Sequence, residues 1–434
     1  MTTDHRLPYS PADIHVDPRA WPDVAHRPTS RLRALAAGRL FAAATRRLPI
    51  SVEYPDGRLG GAASDAVLPR MIVRDPESLF HRLGTSGLIG FGEAYMAGDW
   101  TTDDLVGVLT PFAERVAELV PAPLQRLRSL VLPGHPDDEQ NTVANTRSNI
   151  ARHYDLSNEL FGAFLDETLS YSSAYFGSDS AAETADWSML ADAQRAKIDR
   201  LLDQAGVGEG TRLLEIGTGW GELCLRAAAR GAHVRSLTLS SEQRELALER
   251  VAAAGFADRV SVDLLDYRLV DGEYDAIVSV EMLEAVGREF WPAYFRTLDR
   301  VLVPGGRAAV QVITMPHARM LASEGTYTWV HKYIFPGGQL PSIEALREVT
   351  TAHTGLDLVD EKAMGCHYAR TLRLWRERFV RSDAVIADLG FDSVFRRMWT
   401  FYLAYSEAGF RSGYLDVYQL GFAKPAVSQT PRLS

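Results

Sequence analysis

The stretch LLEIGTGWGE, residues 213–222, is the most informative part of the sequence. An apolar run ends at Glu215 and Ile216, and glycines follow at positions 217, 219 and 221. Glycine adopts backbone dihedral angles that other residues disfavour and lets the backbone approach a ligand closely. The alternative, a plain strand-to-helix turn, does not need three glycines at alternate positions. The stretch therefore predicts a buried strand, a ligand-binding loop and the start of a helix.

Strand and helix patterns alternate after this loop. Helical patterns cover 221–231 and 241–256, and the second begins behind a serine cap with nearby acids. Apolar strand patterns come between and after them, at 211–217, 233–240, 259–267, 274–283 and 306–315. Continuous apolar strands that alternate with helices indicate an α/β fold with a mostly parallel sheet covered on both faces.

Composition excludes several classes of protein. The chain has 434 residues and a net charge of −10, which disfavours nucleic acid as a partner. Its two cysteines, Cys224 and Cys366, are far apart and predict neither a disulfide framework nor a metal site. No apolar run reaches membrane-spanning length. We therefore expect a cytoplasmic protein that reaches any lipid substrate from the membrane surface.

The chain divides by composition into an irregular arm at 1–20, a small N-terminal α+β domain at 21–135, a linker at 136–145 and a larger domain at 146–434. Within the small domain, Asp56-Gly57 is a strong hairpin turn signal. The linker region is rich in proline, glycine and aspartate.

A basic segment opens the small domain. Between Val24 and Val52 there is no acid, whereas arginines and leucines alternate in RLRALAAGRLF at 31–41. This pattern predicts a basic amphipathic helix that can lie on an anionic membrane. The equal alternative is a solvated helix that packs on its own domain.

The glycine spacing of the loop is G-x-G-x-G after an acid, which differs from the dinucleotide fingerprint G-x-G-x-x-G. It resembles the loop of class I S-adenosylmethionine methyltransferases, in which this loop holds the amino-acid end of the cofactor. That class often carries an acid at the end of the second strand to bind ribose, and this chain has none there. The cofactor-binding residues that the resemblance implies are Tyr171, Ser172, Glu215, Gly217, Gly219, Gly221, Thr238, Leu239, Gln243, Asp266 and Tyr267.

Further segments narrow the resemblance to one branch. HYDLSNELFGAFLDETLSYSSAYF at 153–176, KYIFPGG at 332–338 and FYLAYSEAGFRSG at 401–413 are similar to segments of cyclopropane-fatty-acid synthases and mycolic-acid methyltransferases. That family implies methyl transfer from S-adenosylmethionine to a cis double bond of an acyl chain, usually in a phospholipid. The resulting carbocation must lose a proton. Direct loss from the new methyl closes a cyclopropane ring, and loss after a hydride shift leaves a methylene branch.

In the cyclopropane-forming members a bound bicarbonate is thought to take that proton. Of its usual holders, the Glu, Ile and Tyr match Glu284, Ile313 and Tyr368. Three positions depart from the family: Ser173 replaces a Cys, Gln311 replaces a His, and Glu281 replaces a Gly. Our hypothesis is that these six residues form the catalytic site and that Glu281 replaces bicarbonate as a built-in base. The alternative is that Glu281 only compensates a helix dipole.

The variants EMLEAVG and QVITMP, with the N-terminal domain, resemble the actinobacterial fatty-acyl methyltransferases linked to tuberculostearic acid. That resemblance implies a 10-methylene product from an oleoyl phospholipid, a separate reductase that saturates it, peripheral membrane binding and a homodimer. A cyclopropane synthase is the first alternative. A catalytically decayed lipid-binding protein is the second, since two bicarbonate ligands are lost.

Overall fold

The computed structural model describes residues 14–63, 67–119 and 157–426. The predicted linker, 136–145, lies outside the described residues, as does 1–13 of the predicted arm. The strands are β1 (Ser51–Glu53), β2 (Leu59–Gly61), β3 (Arg70–Val73), β4 (Trp100–Thr101), β5 (Arg212–Ile216), β6 (His233–Thr238), β7 (Val260–Leu264), β8 (Tyr274–Val280), β9 (Leu302–Thr314), β10 (Asp357–Ala363) and β11 (Asp416–Ala423).

The helices are α1 (Pro22–Ala25), α2 (Arg31–Thr45), α3 (Pro76–Ser86), α4 (Leu88–Ala97), α5 (Leu105–Leu119), α6 (Asn158–Phe164), α7 (Asp179–Thr184), α8 (Leu190–Gln204), α9 (Glu222–Ala229), α10 (Ser241–Ala253), α11 (Trp291–Val301), α12 (His317–Ser323), α13 (Trp329–Tyr333), α14 (Ile343–His353), α15 (Gly365–Arg381), α16 (Asp383–Asp388) and α17 (Ser393–Arg411). No helix in the described ranges is both long and apolar enough to cross a membrane.

The described residues fall into two compact units. The first contains the described part of 1–135 with 325–334 and 372–414, and the second contains the rest. The sequence had placed 325–334 and 372–414 in the larger domain. Helix α17 belongs to the first unit because its buried Arg397 donates to the carbonyl oxygens of Tyr95, at 2.6 and 2.8 Å, and Trp100, at 3.3 Å. Composition along the chain cannot reveal that a late segment packs against an early one.

The first unit contains a sheet with the strand order β2-β1-β3-β4 among the described residues. Strands β1 and β2 form the expected antiparallel hairpin, and Gly57 supplies the positive φ, 80°, that its turn requires. The basic segment forms α2, which buries Ala37, Phe41 and Thr45 on one face. The predicted helix is thus confirmed, with its bounds at Arg31 and Thr45.

The second unit contains a sheet with the order β10-β11-β9-β8-β5-β6-β7. Strands β5 to β9 pair in parallel, and β11 runs antiparallel to β9 and β10. Buried aliphatic and aromatic side chains cover both faces. The predicted α/β fold is confirmed. Chain order reverses at β5, which lies between β6 and β8, and open sheets of this kind bind ligands at that point, outside the carboxyl ends of the strands.

Candidate active site

A cleft opens at the carboxyl ends of β5, β6 and β8, within the second unit. It encloses about 1000 Å³, counting space open to solvent. It is lined by most of the cofactor-binding residues that the sequence predicts: Tyr171, Ser172, Glu215, Gly217, Gly219, Thr238, Leu239, Gln243 and Tyr267. Gly221 and Asp266 are not part of its lining. The sequence-based set therefore comes together around one cleft, at the edge of the sheet where the topology predicts a ligand.

Different physical constraints act on the three glycines of the loop. Gly217, Gly219 and Gly221 have φ of 97°, 51° and 90°. A Cβ on Gly217 would lie 2.7 Å from Cγ of Met282, and one on Gly221 would lie 3.1 Å from Cβ of Ala247. A Cβ on Gly219 would meet no atom within 4 Å. Packing therefore restricts the first and third positions, whereas the second leaves open space beside the cleft for a ligand.

Glu215 is buried at the end of β5 and faces the cleft. Its Oε2 accepts hydrogen bonds from the thiol of Cys224 at 2.7 Å and from the hydroxyl of Ser236 at 2.6 Å. Burial raises the pKa of Glu215 to about 7, although both hydrogen bonds oppose that rise. These contacts fix the carboxyl group through Oε2 and do not involve Oε1. That arrangement suits a cationic group such as an ammonium.

The far end of the cleft is less acidic. The hydroxyl of Thr238 donates to Oε1 of Gln243 at 3.1 Å, which holds the amide at the cleft wall. Tyr267 lines the cleft and its buried hydroxyl has no hydrogen-bond partner in the described structure. Asp266, in contrast, is bound by the guanidinium of Arg268. Asp266 also caps the turn after β7, where its side chain accepts from the backbone N of Arg268.

The segment after α6 is held against the cleft by helix α8. Gln194 donates from Nε2 to the carbonyl oxygen of Ser172 at 2.9 Å, and Lys197 donates from Nζ to the hydroxyl of Ser172 at 2.6 Å. Leu169 lies in the same segment and takes a positive φ of 53°, which is unusual for a residue with a branched side chain. Tyr171 and Ser172 are thereby positioned at the cleft as the sequence predicts.

Glu281 lies directly after β8, where the backbone still pairs with β9. Its Oε1 accepts from the backbone N of Ser173 at 2.9 Å and from Nε2 of Gln311 at 2.8 Å. Its Oε2 accepts from the hydroxyl of Tyr368 at 2.7 Å. Burial raises the pKa of Glu281, and the three hydrogen bonds and the charge of Lys197 oppose that rise. The structure therefore joins four of the six predicted catalytic residues through one carboxylate.

The backbone of Glu281 is strained. Its φ of 50° lies in the left-handed region, which costs a residue with a side chain about 1–2 kcal/mol. The sequence resemblance places a glycine at this position, which would take that φ without cost. Hydrogen bonds to both oxygens of its carboxylate hold Glu281 in this conformation.

Glu284 is one helical turn further and is also buried. Its Oε1 accepts from the backbone N of Ile313, while its Oε2 has no hydrogen-bond partner in the described structure. Burial, followed by the charge of Glu281, raises the pKa of Glu284 to about 8. The two carboxyl groups thus differ: three hydrogen bonds and the charge of Lys197 favour the ionised form of Glu281, whereas burial and the charge of Glu281 favour the protonated form of Glu284.

The side chain of Gln419 lies behind the site and fixes the orientation of the Gln311 amide. The side-chain amide of Gln419 donates to Oε1 of Gln311 at 3.0 Å and to the backbone oxygen of Lys197 at 3.2 Å. Gln311 must then present its NH₂ group to Glu281. Sequence analysis missed Gln194, Lys197 and Gln419. The signal for the first two was present, because both polar residues share the buried face of α8 with Leu190, Ile198 and Leu201.

One cluster of potential metal ligands occurs in the described part of the chain: Asp179, Cys366 and His367. However, Nδ1 of buried His367 accepts a hydrogen bond from the backbone N of Phe176 at 3.0 Å. A neutral ring then carries its proton on Nε2, which faces Asp179 at 3.5 Å. This geometry suits an orienting contact better than metal coordination, which would require that proton to leave.

The fold and the cleft define a class I S-adenosylmethionine-dependent methyltransferase. The chain resembles the solved structures of cyclopropane synthase MmaA2 from Mycobacterium tuberculosis and of mycolic acid cyclopropane synthase CmaA1 complexed with SAH and CTAB. Identity is 31% and 33%, TM-scores are 0.58 and 0.57, and each alignment covers 64% of this chain and 98% of the other. The cleft residues fit the cofactor: an acid for its ammonium, open space beside Gly219, and hydroxyl and amide groups further along.

The model of the mycolic acid cyclopropane synthetase family matches residues 141–420, and the chain belongs to that family. The tuberculostearic acid methyltransferase UfaA1 of M. tuberculosis is 56% identical over 407 residues, which cover 93% of this chain and 95% of UfaA1. The cyclopropane-fatty-acyl-phospholipid synthase of Escherichia coli is 31% identical over 378 residues, covering 85% and 91%. The predicted family, enzyme class and cofactor are confirmed.

Proposed function

We propose that this enzyme methylates the cis double bond of an oleoyl chain in phospholipid and forms a 10-methylene acyl group, the precursor of 10-methylstearate. The observation that carries the proposal is the carboxylate of Glu281, held by three donors at the position of a family glycine. The 56% identity to a protein named tuberculostearic acid methyltransferase supports the same reaction.

S-adenosylmethionine supplies an electrophilic methyl group when bound. Glu281 supplies the base that removes the proton from the carbocation on the acyl chain. Oε1 already accepts two hydrogen bonds, whereas Oε2 accepts only that from Tyr368. Oε2 therefore has the more accessible lone pair and receives the proton. Neutral Glu284 adds no second negative charge beside the base.

The same residues support the replacement of bicarbonate. Ser173, Gln311 and Tyr368 occupy positions that the family uses around bicarbonate, and here they bind a carboxylate of the protein. The side chain of Glu281 thus takes the place of the bound anion. Turnover in buffer purged of carbon dioxide should equal turnover with added bicarbonate. A rate that rises several-fold on addition of bicarbonate would contradict this replacement.

The alternative reaction is cyclopropanation. It is favoured by the retained Glu284, Ile313 and Tyr368 and by the similarity to the E. coli synthase. The structure of the product distinguishes the two reactions. The two products are isomers with equal mass. Lipids from a host that is fed oleate and expresses this chain alone should show vinylidene signals in proton NMR. High-field ring protons in their place would establish the cyclopropane synthase. Unmodified lipid despite cofactor binding in a calorimeter would favour the lipid-binding alternative.

We propose that α2 docks the first unit on anionic membranes. Leu32 and Leu35 are 83% and 62% exposed on the helix, and Arg31, Arg33 and Arg39 are exposed near them. Exposed leucines among arginines match a surface with acyl chains below anionic headgroups. Leu32→Ser with Leu35→Ser should reduce co-sedimentation with phosphatidylglycerol vesicles several-fold. Leu59→Ser, at a site 73% exposed on β2, is the matched control. Equal losses in both variants would contradict a specific role for α2.

Two further parts of the proposal concern partners. A separate reductase would saturate the methylene group, and the enzyme would act as a homodimer on the inner face of the membrane. Co-expression with and without a candidate reductase, followed by lipid NMR, tests the first. Sedimentation equilibrium of the full chain tests the second, and a monomer at assay concentration would overturn it.

A further inference from the structure

Lys197 is a buried cation at the wall of the cofactor cleft. It lies on α8 with 1% of its surface exposed, and its Nζ donates to the hydroxyl of Ser172 at 2.6 Å. No carboxylate of the described residues pairs with Nζ at ion-pair distance. A buried ammonium is costly unless a negative charge compensates it. A negative charge nearby would therefore stabilise the charged form of Lys197.

The charged groups that face Lys197 are Glu281, Asp166 and Glu222, and the effect of Glu281 is the largest of the three. Burial lowers the pKa of Lys197 to about 8, and the negative charge of Glu281 opposes that fall. The relation is mutual, since Lys197 favours the ionised form of Glu281. The other titratable groups facing Glu281 are Glu284 and Tyr368.

Lys197 is also connected to both donors on Oε1 of Glu281. Its ammonium binds Ser172, and the next residue, Ser173, donates its backbone N to Glu281. Its backbone oxygen accepts from Gln419, which orients Gln311 toward the same carboxylate. The lysine is thus joined to the base by geometry as well as by charge.

We propose that Lys197 is a positioning residue that keeps Glu281 ionised and able to accept the proton. The inference rests on the proposed role of Glu281 as the base. A carboxylate in an apolar, water-excluding site tends to hold a proton, and a protonated base cannot act. Lys197 opposes this protonation through its positive charge.

The first test measures the protonation of Glu281 directly. Infrared spectra of the full chain with ¹³C-labelled glutamate are recorded against pH, and Glu281→Gln identifies the band of this carboxyl group. In Lys197→Met, which keeps the length of the side chain, the midpoint should rise by about one pH unit or more. Lys197→Arg should restore the original midpoint. An unchanged midpoint in Lys197→Met overturns the proposal.

The second test separates this role from cofactor binding. At pH values below the midpoints of both proteins, the single-turnover rate of Lys197→Met should be about tenfold lower than that of the parent and should recover as pH rises, whereas its affinity for S-adenosylhomocysteine should change less than threefold. A tenfold loss of that affinity with an unchanged pH profile would assign Lys197 to the carboxylate of the cofactor and overturn the proposal. Thermal unfolding of each variant checks the fold. The infrared titration needs no turnover, so it remains decisive even if Glu281→Gln proves active and the proposed base is wrong.

Discussion

Replacement of Glu281 by glutamine removes the proposed base and should leave the surrounding backbone unchanged. The amide oxygen can remain at Oε1 and accept from Ser173 and Gln311 at their present 2.9 and 2.8 Å. The NH₂ group then occupies the position of Oε2, 2.7 Å from the hydroxyl of Tyr368. That hydroxyl can rotate and accept instead of donating. Ser173 and Gln311 keep their acceptor, and only the hydroxyl proton of Tyr368 loses the acceptor that it has in the parent.

The magnitudes follow from this geometry. Loss of a general base costs about 10²–10⁴ in rate, or about 2.7–5.4 kcal/mol of barrier. The stability of the fold should change far less. A neutral amide is cheaper to bury than a carboxylate but forms weaker hydrogen bonds, and these opposing effects are each about 1–3 kcal/mol. The backbone strain at a φ of 50° is the same in both proteins.

The assay measures single-turnover methylation of vesicles that contain dioleoyl phospholipid, with labelled S-adenosylmethionine. We expect Glu281→Gln to bind S-adenosylhomocysteine with normal affinity, to unfold within a few degrees of the parent and to lose at least 99% of the rate. Glu281→Asp is a second variant, with a carboxylate that is one methylene shorter and retains part of the activity. A Glu281→Gln enzyme with more than a tenth of the parent rate would refute the assignment of the base.

Three other predictions concern Glu215, Gly217 and Tyr368. Burial raises the pKa of Glu215 to about 7, so protonation below that pH removes its attraction for the cofactor's ammonium group. Calorimetry should therefore show about tenfold weaker binding of S-adenosylhomocysteine at pH 6 than at pH 8. The Glu215→Gln variant should bind weakly and without this pH dependence. Gly217→Ala places a Cβ 2.7 Å from Cγ of Met282 and should abolish measurable binding, whereas Gly206→Ala, at a φ of 71° with open space, should cost about 1 kcal/mol of stability and bind normally. Tyr368→Phe removes one of three hydrogen bonds to Glu281 and should shift the acid limb of the rate profile to higher pH with unchanged cofactor affinity; an unshifted limb would contradict that contact.

The sheet could be predicted from sequence because its information is local. Each apolar run is bounded by glycine or by a capping residue, and the loop at 217–221 carries its own backbone requirement. The two-unit organisation could not be predicted in the same way. The guanidinium of Arg397 binds the carbonyl of Tyr95, about three hundred residues earlier in the chain, and composition contains no trace of such a contact.

The candidate catalytic site, like the fold, could be predicted from the sequence only in part. Family motifs identify Glu284, Ile313 and Tyr368 by position, but a motif does not state which atoms meet. Lys197 illustrates the limit, because a lysine in AQRAKIDRLL is usually a solvated residue on a helix. Only its spacing on the buried face of α8 distinguishes it, and only the structure places its ammonium against Ser172.

The left-handed φ of Glu281 connects the sequence change to its physical cause. A glycine at this position would pay nothing for a φ of 50° and would leave Ser173, Gln311 and Tyr368 to bind an anion from solution. A glutamate pays about 1–2 kcal/mol of strain. In the proposed mechanism its carboxylate is the anion among the same donors, so the reaction no longer depends on dissolved bicarbonate. Such a carboxylate is also attached to the backbone after β8, so it approaches the substrate from one direction only. A base with one fixed direction can favour proton loss from one carbon of the cation over another, which is the choice that separates a methylene branch from a ring.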